Sequence, residues 1–298
     1  MHVLITGGTG LIGSALSKYL TAEGHQVSVL SRRPEEVAGI CGASVRGFAK
    51  LDQLGNEQID AVVNLAGAPI ADRPWTRKRK GVLWESRVTL TEELVAWLGT
   101  LAVKPKVLVS GSAVGWYGDS GDQPVTESMA PHVEYTHTLC DAWESAAKRA
   151  GAYGVRVCLL RTGLVLAPAG GFLQRMLLPF KLGLGGPIGS GKQYMPWVHR
   201  TDMVGIIMLL LHNSDCKGPF NACAPNPATN REFVKTLGRA LGRPAVIPLP
   251  GPVLKVGLGE MSRLLLTGQN AVPQKIQEAG YQFRFSHLEA ALNDVIKT

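Results

Sequence analysis

The sequence predicts an α/β fold with a doubly wound parallel sheet of the Rossmann type. Three observations carry that prediction. Residues 1–6 (MHVLIT) form an apolar, β-branched run that passes directly into Gly7-Gly8-Thr9-Gly10-Leu11-Ile12-Gly13 and then into a helical pattern over 14–22. Further short apolar runs at 26–30, 61–65, 106–110 and 155–160 are separated by helical patterns, and strands alternating with helices imply parallel crossovers. Each run ends in small or polar residues: Ser31, Arg32 and Arg33; Leu65, Ala66 and Gly67; Ser110 to Ser112; Arg161 to Gly163. In an open parallel sheet these ends share one rim, where ligands bind.

The first turn predicts what binds there. A strand, a glycine-rich turn and a helix in direct succession are the context of a dinucleotide fingerprint. Gly7 permits the tight turn, Gly10 lets the backbone approach a pyrophosphate, and Gly13 lets helix and strand lie close. The free N–H groups at the helix start then face the phosphates. The second strand selects the cofactor. An NAD site places Asp or Glu about twenty residues past the glycines, on the ribose 2′-hydroxyl. Here the strand runs into Ser31, Arg32 and Arg33. Guanidinium groups grip phosphate with several donors at once. The expected cofactor is therefore NADP(H), with Ser31 and Arg32 on its 2′-phosphate and Arg33 near the adenine.

Composition excludes several classes. The chain has 298 residues, 45% of them hydrophobic, and a formal net charge of +8. No apolar run approaches the ~20 residues of a membrane span. The first strand begins at once with no charged leader, so no signal peptide and a cytoplasmic location are expected. The five cysteines (41, 140, 158, 216, 223) have no metal-ligand spacing and read as reduced thiols, with no metal. The basic run at 73–80 (RPWTRKRK) lacks a nucleic-acid motif and reads as a solvated helix start near an anionic ligand. Residues 186–192 fit GxxxxGK, but Gln193 follows where a P-loop needs Ser or Thr; the segment reads as a substrate loop.

Residues 35–59 carry no clear pattern. A helix is expected at about 76–101, another at about 135–150, and after residue 172 the alternation gives way to Pro- and Gly-rich sequence. The expected organisation is an NADP-binding core over 1–170, with later segments returning to it, and a substrate-side lobe over 171–298 that includes an extension from about 245. Helices are expected after Trp197-Val198-His199-Arg200, capped by Thr201 or Asp202, and over 230–241, capped by Asn230. His199 and Asp202 read as structural at that junction.

Several motifs carry a resemblance across the whole chain: TGGTGLIG, NLAG, WYG at 116–118, LRTGLVLAP, MLLPFKLGLGGPIGSGKQYMPWVHR and the tail LGEMSRLLLTGQNAVPQKIQEAGYQFRF. The chain resembles the extended short-chain dehydrogenase/reductase superfamily, and within it the YfcH-type epimerase family. The resemblance implies that Gly7, Gly10, Leu11, Ile12 and Gly13 hold the pyrophosphate and that Leu65, Ala66 and Gly67 line the adenosine and ribose side. It also sets Arg87 where typical members carry an Asn near the cofactor. It implies a small hydroxyl-bearing substrate, with a nucleotide sugar as one candidate, and leaves a homodimer open.

The catalytic positions depart from that pattern. Typical members pair a Tyr with a Lys four residues later, after a Ser or Thr at a strand end. Ser112 matches the Ser; Thr136 and Cys140 fall on the Tyr and Lys positions. Three readings stay open. Other groups, among Tyr135, His137, Tyr117 and Cys140, carry the proton with Ser112 as anchor; His137 and Cys140 stand at i, i+3 on one helix face, and imidazole is a proton carrier near neutral pH. Alternatively, substrate or water supplies the proton. In the third reading the chain binds NADP(H) without turnover, as a regulator.

Overall fold

A computed structural model describes residues 1–55 and 57–297. Seven strands, β1 (His2–Thr6), β2 (Gln26–Leu30), β3 (Arg46–Phe48), β4 (Ala61–Asn64), β5 (Val107–Ala113), β6 (Arg156–Thr162) and β7 (Gly218–Ala222), form one sheet of order β7-β6-β5-β4-β1-β2-β3. Every pairing in it is parallel. The order reverses direction at the β1–β4 pair, so a crevice opens beyond the carboxyl ends of those two strands. The doubly wound sheet expected from the sequence is present, and two strands join it that the sequence did not announce. β3 has only three residues, and β7 (GPFNA) contains Gly and Pro. Both are edge strands, where Pro219 removes no central ladder bond.

Helices cover both faces. α1 (Leu11–Ala22) places Leu16 and Leu20 against Val3, Ile5 and Val29. The long helical pattern resolves into Arg77–Trp84, a π-helical turn at Glu85–Thr89, and α2 (Leu90–Thr100). On the opposite face from α1, Leu94 and Leu98 of α2 and Ala147 of α3 (Tyr135–Lys148) pack on Leu4, Val62 and Leu108. Strand residues of the centre are buried on both sides, as a parallel sheet between helices requires. A second cluster, including Leu173 and Phe180 of α4 (Gly171–Lys181), Trp197, Phe233 and Leu292, is built from the second half of the chain.

Two helix caps differ from expectation by one to three residues. α5 (Arg200–His212) is capped by His199, whose Nδ1 accepts the Thr201 N–H at 3.1 Å, rather than by Thr201 or Asp202. α6 (Asn230–Leu241) is capped by Thr229 in a reciprocal box with Glu232; this is a stronger N-terminal signal than Asn230 alone. The Asn230 carboxamide instead accepts from the Ile188 N–H at 2.8 Å and holds the glycine-rich loop. That loop follows a helix and leads into the two-residue strand Tyr194–Met195, so it lacks the strand–loop–helix context of a P-loop.

Asp202 anchors the last part of the chain. Fully buried, it accepts from the Tyr281 hydroxyl (3.0 Å) and from the N–H groups of Arg284 (2.8 Å) and Phe285 (3.0 Å). Burial and this carboxylate both push the Tyr281 phenol above its usual range, so it stays a donor. The carboxylate thus replaces solvent for three donors of the C-terminal segment.

Candidate active site

The glycine turn is shaped by what a side chain would strike. Gly7 has φ +69°, a left-handed conformation that L-residues rarely adopt. A Cβ at Gly13 would lie 2.4 Å from the Gly7 carbonyl oxygen, and one at Gly8 would lie 2.6 Å from Val29. The N-cap of α1 is Gly10, with extended backbone and no capping side chain. The first N–H groups of α1, including those of Leu11 and Ile12, are therefore left for an anion. Such a cradle fits a pyrophosphate.

A buried polar chain fixes the rim beside it. Thr6 donates to Asn64 Oδ1 (2.6 Å), and Asn64 Nδ2 donates to Thr91 Oγ1 (2.7 Å) and Ser110 Oγ (3.2 Å). The Trp143 indole donates to Thr91 (3.0 Å), and the Ala66 N–H donates to Thr6 Oγ1 (3.2 Å). These bonds lock the ends of β1, β4 and β5 to α2 and α3, and they orient Leu65, Ala66 and Gly67 along the crevice. A Cβ on Gly67 would stand 3.0 Å from Arg87 Cζ, so the guanidinium lies against that glycine. Arg87 sits on the π-helical turn, faces the Trp143 ring at 5.4 Å, and has no carboxylate within ion-pair range among the described residues. Burial lowers its pKa from the ordinary guanidinium value, a cost that an anion in the crevice would relieve.

At the end of β2 the three sequence candidates separate. Ser31 Oγ accepts the Arg33 N–H at 3.1 Å. Arg33 pairs with Glu36 at 2.8 Å on an exposed surface. Arg32 is exposed at the strand end with no carboxylate partner among the described residues.

Next to this rim lies a cavity of about 890 Å³. Its floor comes from Ala113 and Thr162 at the ends of β5 and β6, and from Tyr135, Thr136 and Cys140 of α3. Its far wall comes from Glu260, Arg263, Leu264 and Leu265 near the C-terminus. Tyr135 packs on Trp75 (4.8 Å between rings) under the Lys80 ammonium (4.2 Å), and its buried hydroxyl has no hydrogen-bond partner among the described residues. Burial raises the phenol above its usual value against the opposing charge of Arg87. Thr136 donates to Glu134 at 2.7 Å. Burial, with Glu144 nearby, pushes the Cys140 thiol up to about 12, so it is no thiolate near neutrality.

The other two catalytic candidates point elsewhere. His137 bonds the Trp116 carbonyl through Nδ1 at 2.7 Å and stacks edgewise on Trp116. Ser112 is 4% exposed and donates to Glu144 Oε1 at 2.8 Å. It opens a buried network that the sequence did not reveal. Arg161 donates to both oxygens of Glu144 (2.8 and 3.0 Å), lies 3.5 Å over the Trp116 ring, and donates to Tyr117 Oη at 3.1 Å. Tyr117 in turn donates to Asn221 Oδ1 at 2.7 Å, and Asn221 N–H donates to Glu127 at 2.9 Å. Burial holds the Tyr117 phenol up at about 12, so it remains a donor rather than a base. The network ties α3, β5, β6 and β7 together beneath the cavity.

Comparison with known proteins places this geometry. The family model described as "NAD dependent epimerase/dehydratase family" matches residues 3–223, and a domain of unknown function, DUF1731, matches residues 249–295. The chain belongs to the NAD dependent epimerase/dehydratase family. It is 38% identical to the mouse (Mus musculus) epimerase family protein SDR39U1 over 99% of this chain and 100% of the relative. It is 38% identical to the Bacillus subtilis epimerase family protein YfhF over 99% of this chain and 98% of that one. The crystal structure of human SDR39U1 (isoform 2) with NADPH superposes at a TM-score of 0.90 and 37% identity, covering 100% of this chain and 99% of the other. The resemblance read from the glycine turn and the C-terminal tail therefore holds. Among the described residues no cluster of metal-ligating side chains and no helix able to cross a membrane is present.

Proposed function

We propose that this chain is an NADP(H)-dependent short-chain dehydrogenase/reductase acting on a small hydroxyl- or carbonyl-bearing molecule, as an oxidoreductase or epimerase. The observation that carries the cofactor reading is the end of β2, where Ser31 and an unpaired Arg32 stand in place of a carboxylate. The 37% identical human relative crystallised with NADPH supports it. Gly7, Gly10, Leu11, Ile12 and Gly13 hold the pyrophosphate through backbone N–H groups, and Arg87 adds positive charge against Gly67. Leu65, Ala66 and Gly67 line the ribose side. Arg33 serves the local turn through Glu36. NADP(H), when bound, supplies hydride exchange.

The chain's own part is placement. Tyr135 is the catalytic candidate whose surroundings suit the role: it lines the cavity, burial keeps it a phenol, and its hydroxyl lacks a partner. An unpaired buried hydroxyl costs about 1–3 kcal/mol. Ser112 acts through Glu144 and Arg161 as a positioning residue, and His137 positions the Trp116 turn. A second reading, an NADP(H)-binding regulator without turnover, is favoured by Thr136 and Cys140 at the usual Tyr and Lys positions.

The test of the cofactor reading is Arg32→Ala. Charge-assisted hydrogen bonds contribute about 1.5–3 kcal/mol, so NADPH affinity should fall roughly 10- to 100-fold while NADH affinity stays unchanged, as read by nucleotide fluorescence titration. An unchanged NADPH affinity would remove the phosphate assignment.

A further inference from the structure

We propose that the cavity selects a neutral, mostly apolar alcohol or carbonyl compound and rejects nucleoside diphosphate sugars. This rests on the NADP(H) reading above for the reaction, but the selectivity itself is a property of the wall.

Each cation at the wall comes with its own carboxylate. Arg175 is paired with Asp72. Arg263 Nε donates to Glu134 Oε2 at 2.8 Å, and the wall carboxylate Glu260 is neutralised from outside the lining by Lys80 at 2.6 Å. The six charges cancel. A diphosphate brings two negative charges and needs cations or N–H groups free to meet them. Exposed ion pairs are individually weak, so the arginines could be drawn away. The Glu134 carboxylate could not leave with them. Glu134 is the N-cap residue of α3, also accepts from Thr136, and is 13% exposed. A diphosphate would therefore lie against fixed negative charge.

The polar side chains of the wall are also committed to the protein. Thr162 donates to the Leu160 carbonyl (3.1 Å), Thr267 to that of Arg263 (2.8 Å), and Gln269 to that of Gly118 (2.8 Å). Most of what remains is apolar, including Ile70, Trp75, Leu164, Phe172, Met195 and Leu265. Tyr135, Gln193 and Tyr194 line the cavity, and the Tyr135 hydroxyl and Gln193 Oε1 are buried with no hydrogen-bond partner among the described residues. A pocket of mainly apolar lining with a few polar atoms fixes one oxygen of an otherwise hydrocarbon ligand. The C-terminal segment supplies Leu264, Leu265 and the Arg263 that neutralises Glu134, so it sets this selectivity.

The experiment is calorimetric titration of the NADPH-loaded full chain with 2-decanone and with UDP-glucose. The expected result is saturable 2-decanone binding at least 100-fold tighter than UDP-glucose. Leu265→Glu should weaken 2-decanone at least tenfold, with NADPH affinity on the same sample as the control for folding. The D72N/E134Q double variant, which frees Arg175 and Arg263, should strengthen UDP-glucose binding at least tenfold. UDP-glucose binding as tight as 2-decanone, or no binding of 2-decanone, overturns the proposal. If NADPH itself fails to bind, the cofactor reading falls separately, and the same two titrations on the unloaded chain still decide the selectivity.

Discussion

Glu144→Ala is expected to destabilise the protein by about 3–5 kcal/mol, the range for removing one partner of a buried ion pair. The Arg161 guanidinium, 3% exposed, would lose both carboxylate bonds, and the Ser112 hydroxyl would lose its acceptor. Tyr117 and the face of Trp116 would remain to Arg161, but neither carries a compensating charge. For a chain of this size the melting temperature should fall by roughly 10 °C. The uncompensated charge, not lost packing, is the cause. The double variant Glu144→Leu/Arg161→Met should therefore recover most of the loss, since apolar replacement of a whole buried pair is often neutral. Thermal denaturation of the three proteins checks this. A single variant within about 1 kcal/mol of the unaltered chain would show that the pair is solvated, against the burial argument.

Gly13→Ala should abolish useful NADPH binding while leaving the sheet folded. The added methyl would stand 2.4 Å from Gly7 O and 2.6 Å from Gly8 Cα, both backbone atoms. Neither can swing aside as a side-chain tip could, so α1 must move off the turn. Overpacking of this kind costs about 1–3 kcal/mol in stability. The larger effect is on the anion site, because the α1 N–H groups and the turn would no longer converge on one point. NADPH affinity is expected to drop at least 100-fold. A thermal-shift series reports it directly: NADPH should raise the melting temperature of the unaltered chain and leave that of Gly13→Ala unmoved, while circular dichroism retains the α/β signature. An undiminished shift in the variant would mean that the helix start is not the pyrophosphate site.

Features written in contiguous residues were legible before any coordinates. The β1–turn–α1 unit declares itself because each glycine answers a local steric demand, and the Ser31–Arg32 pair announces its chemistry at a strand end. The two edge strands were not legible, since three residues in β3 and a Gly-Pro start in β7 carry no strand pattern. The site's deeper parts depend on distant partners. Glu144 meets Arg161 across two elements, and Arg263 meets Glu134 across 129 positions of sequence; nothing in either neighbourhood names the other. His137 and Cys140 share a helix face by spacing, yet His137 turns to the Trp116 carbonyl and Cys140 is buried in the cavity floor. Arg33, expected near the adenine, pairs with Glu36 three residues on. Asp202 read as a helix cap and proved to be the buried acceptor for the C-terminal segment, a role defined by Tyr281, Arg284 and Phe285, about eighty residues away.

The central claim is that a backbone cradle at the first turn and a guanidinium at the end of β2 together hold a 2′-phosphorylated nicotinamide dinucleotide. Parallel fluorescence titrations of the unaltered chain with NADPH and NADH test it most directly. The account predicts saturable NADPH binding, tighter than NADH by about tenfold or more, the worth of one charge-assisted phosphate contact. Equal affinities, or no binding of either nucleotide to the folded protein, would contradict it.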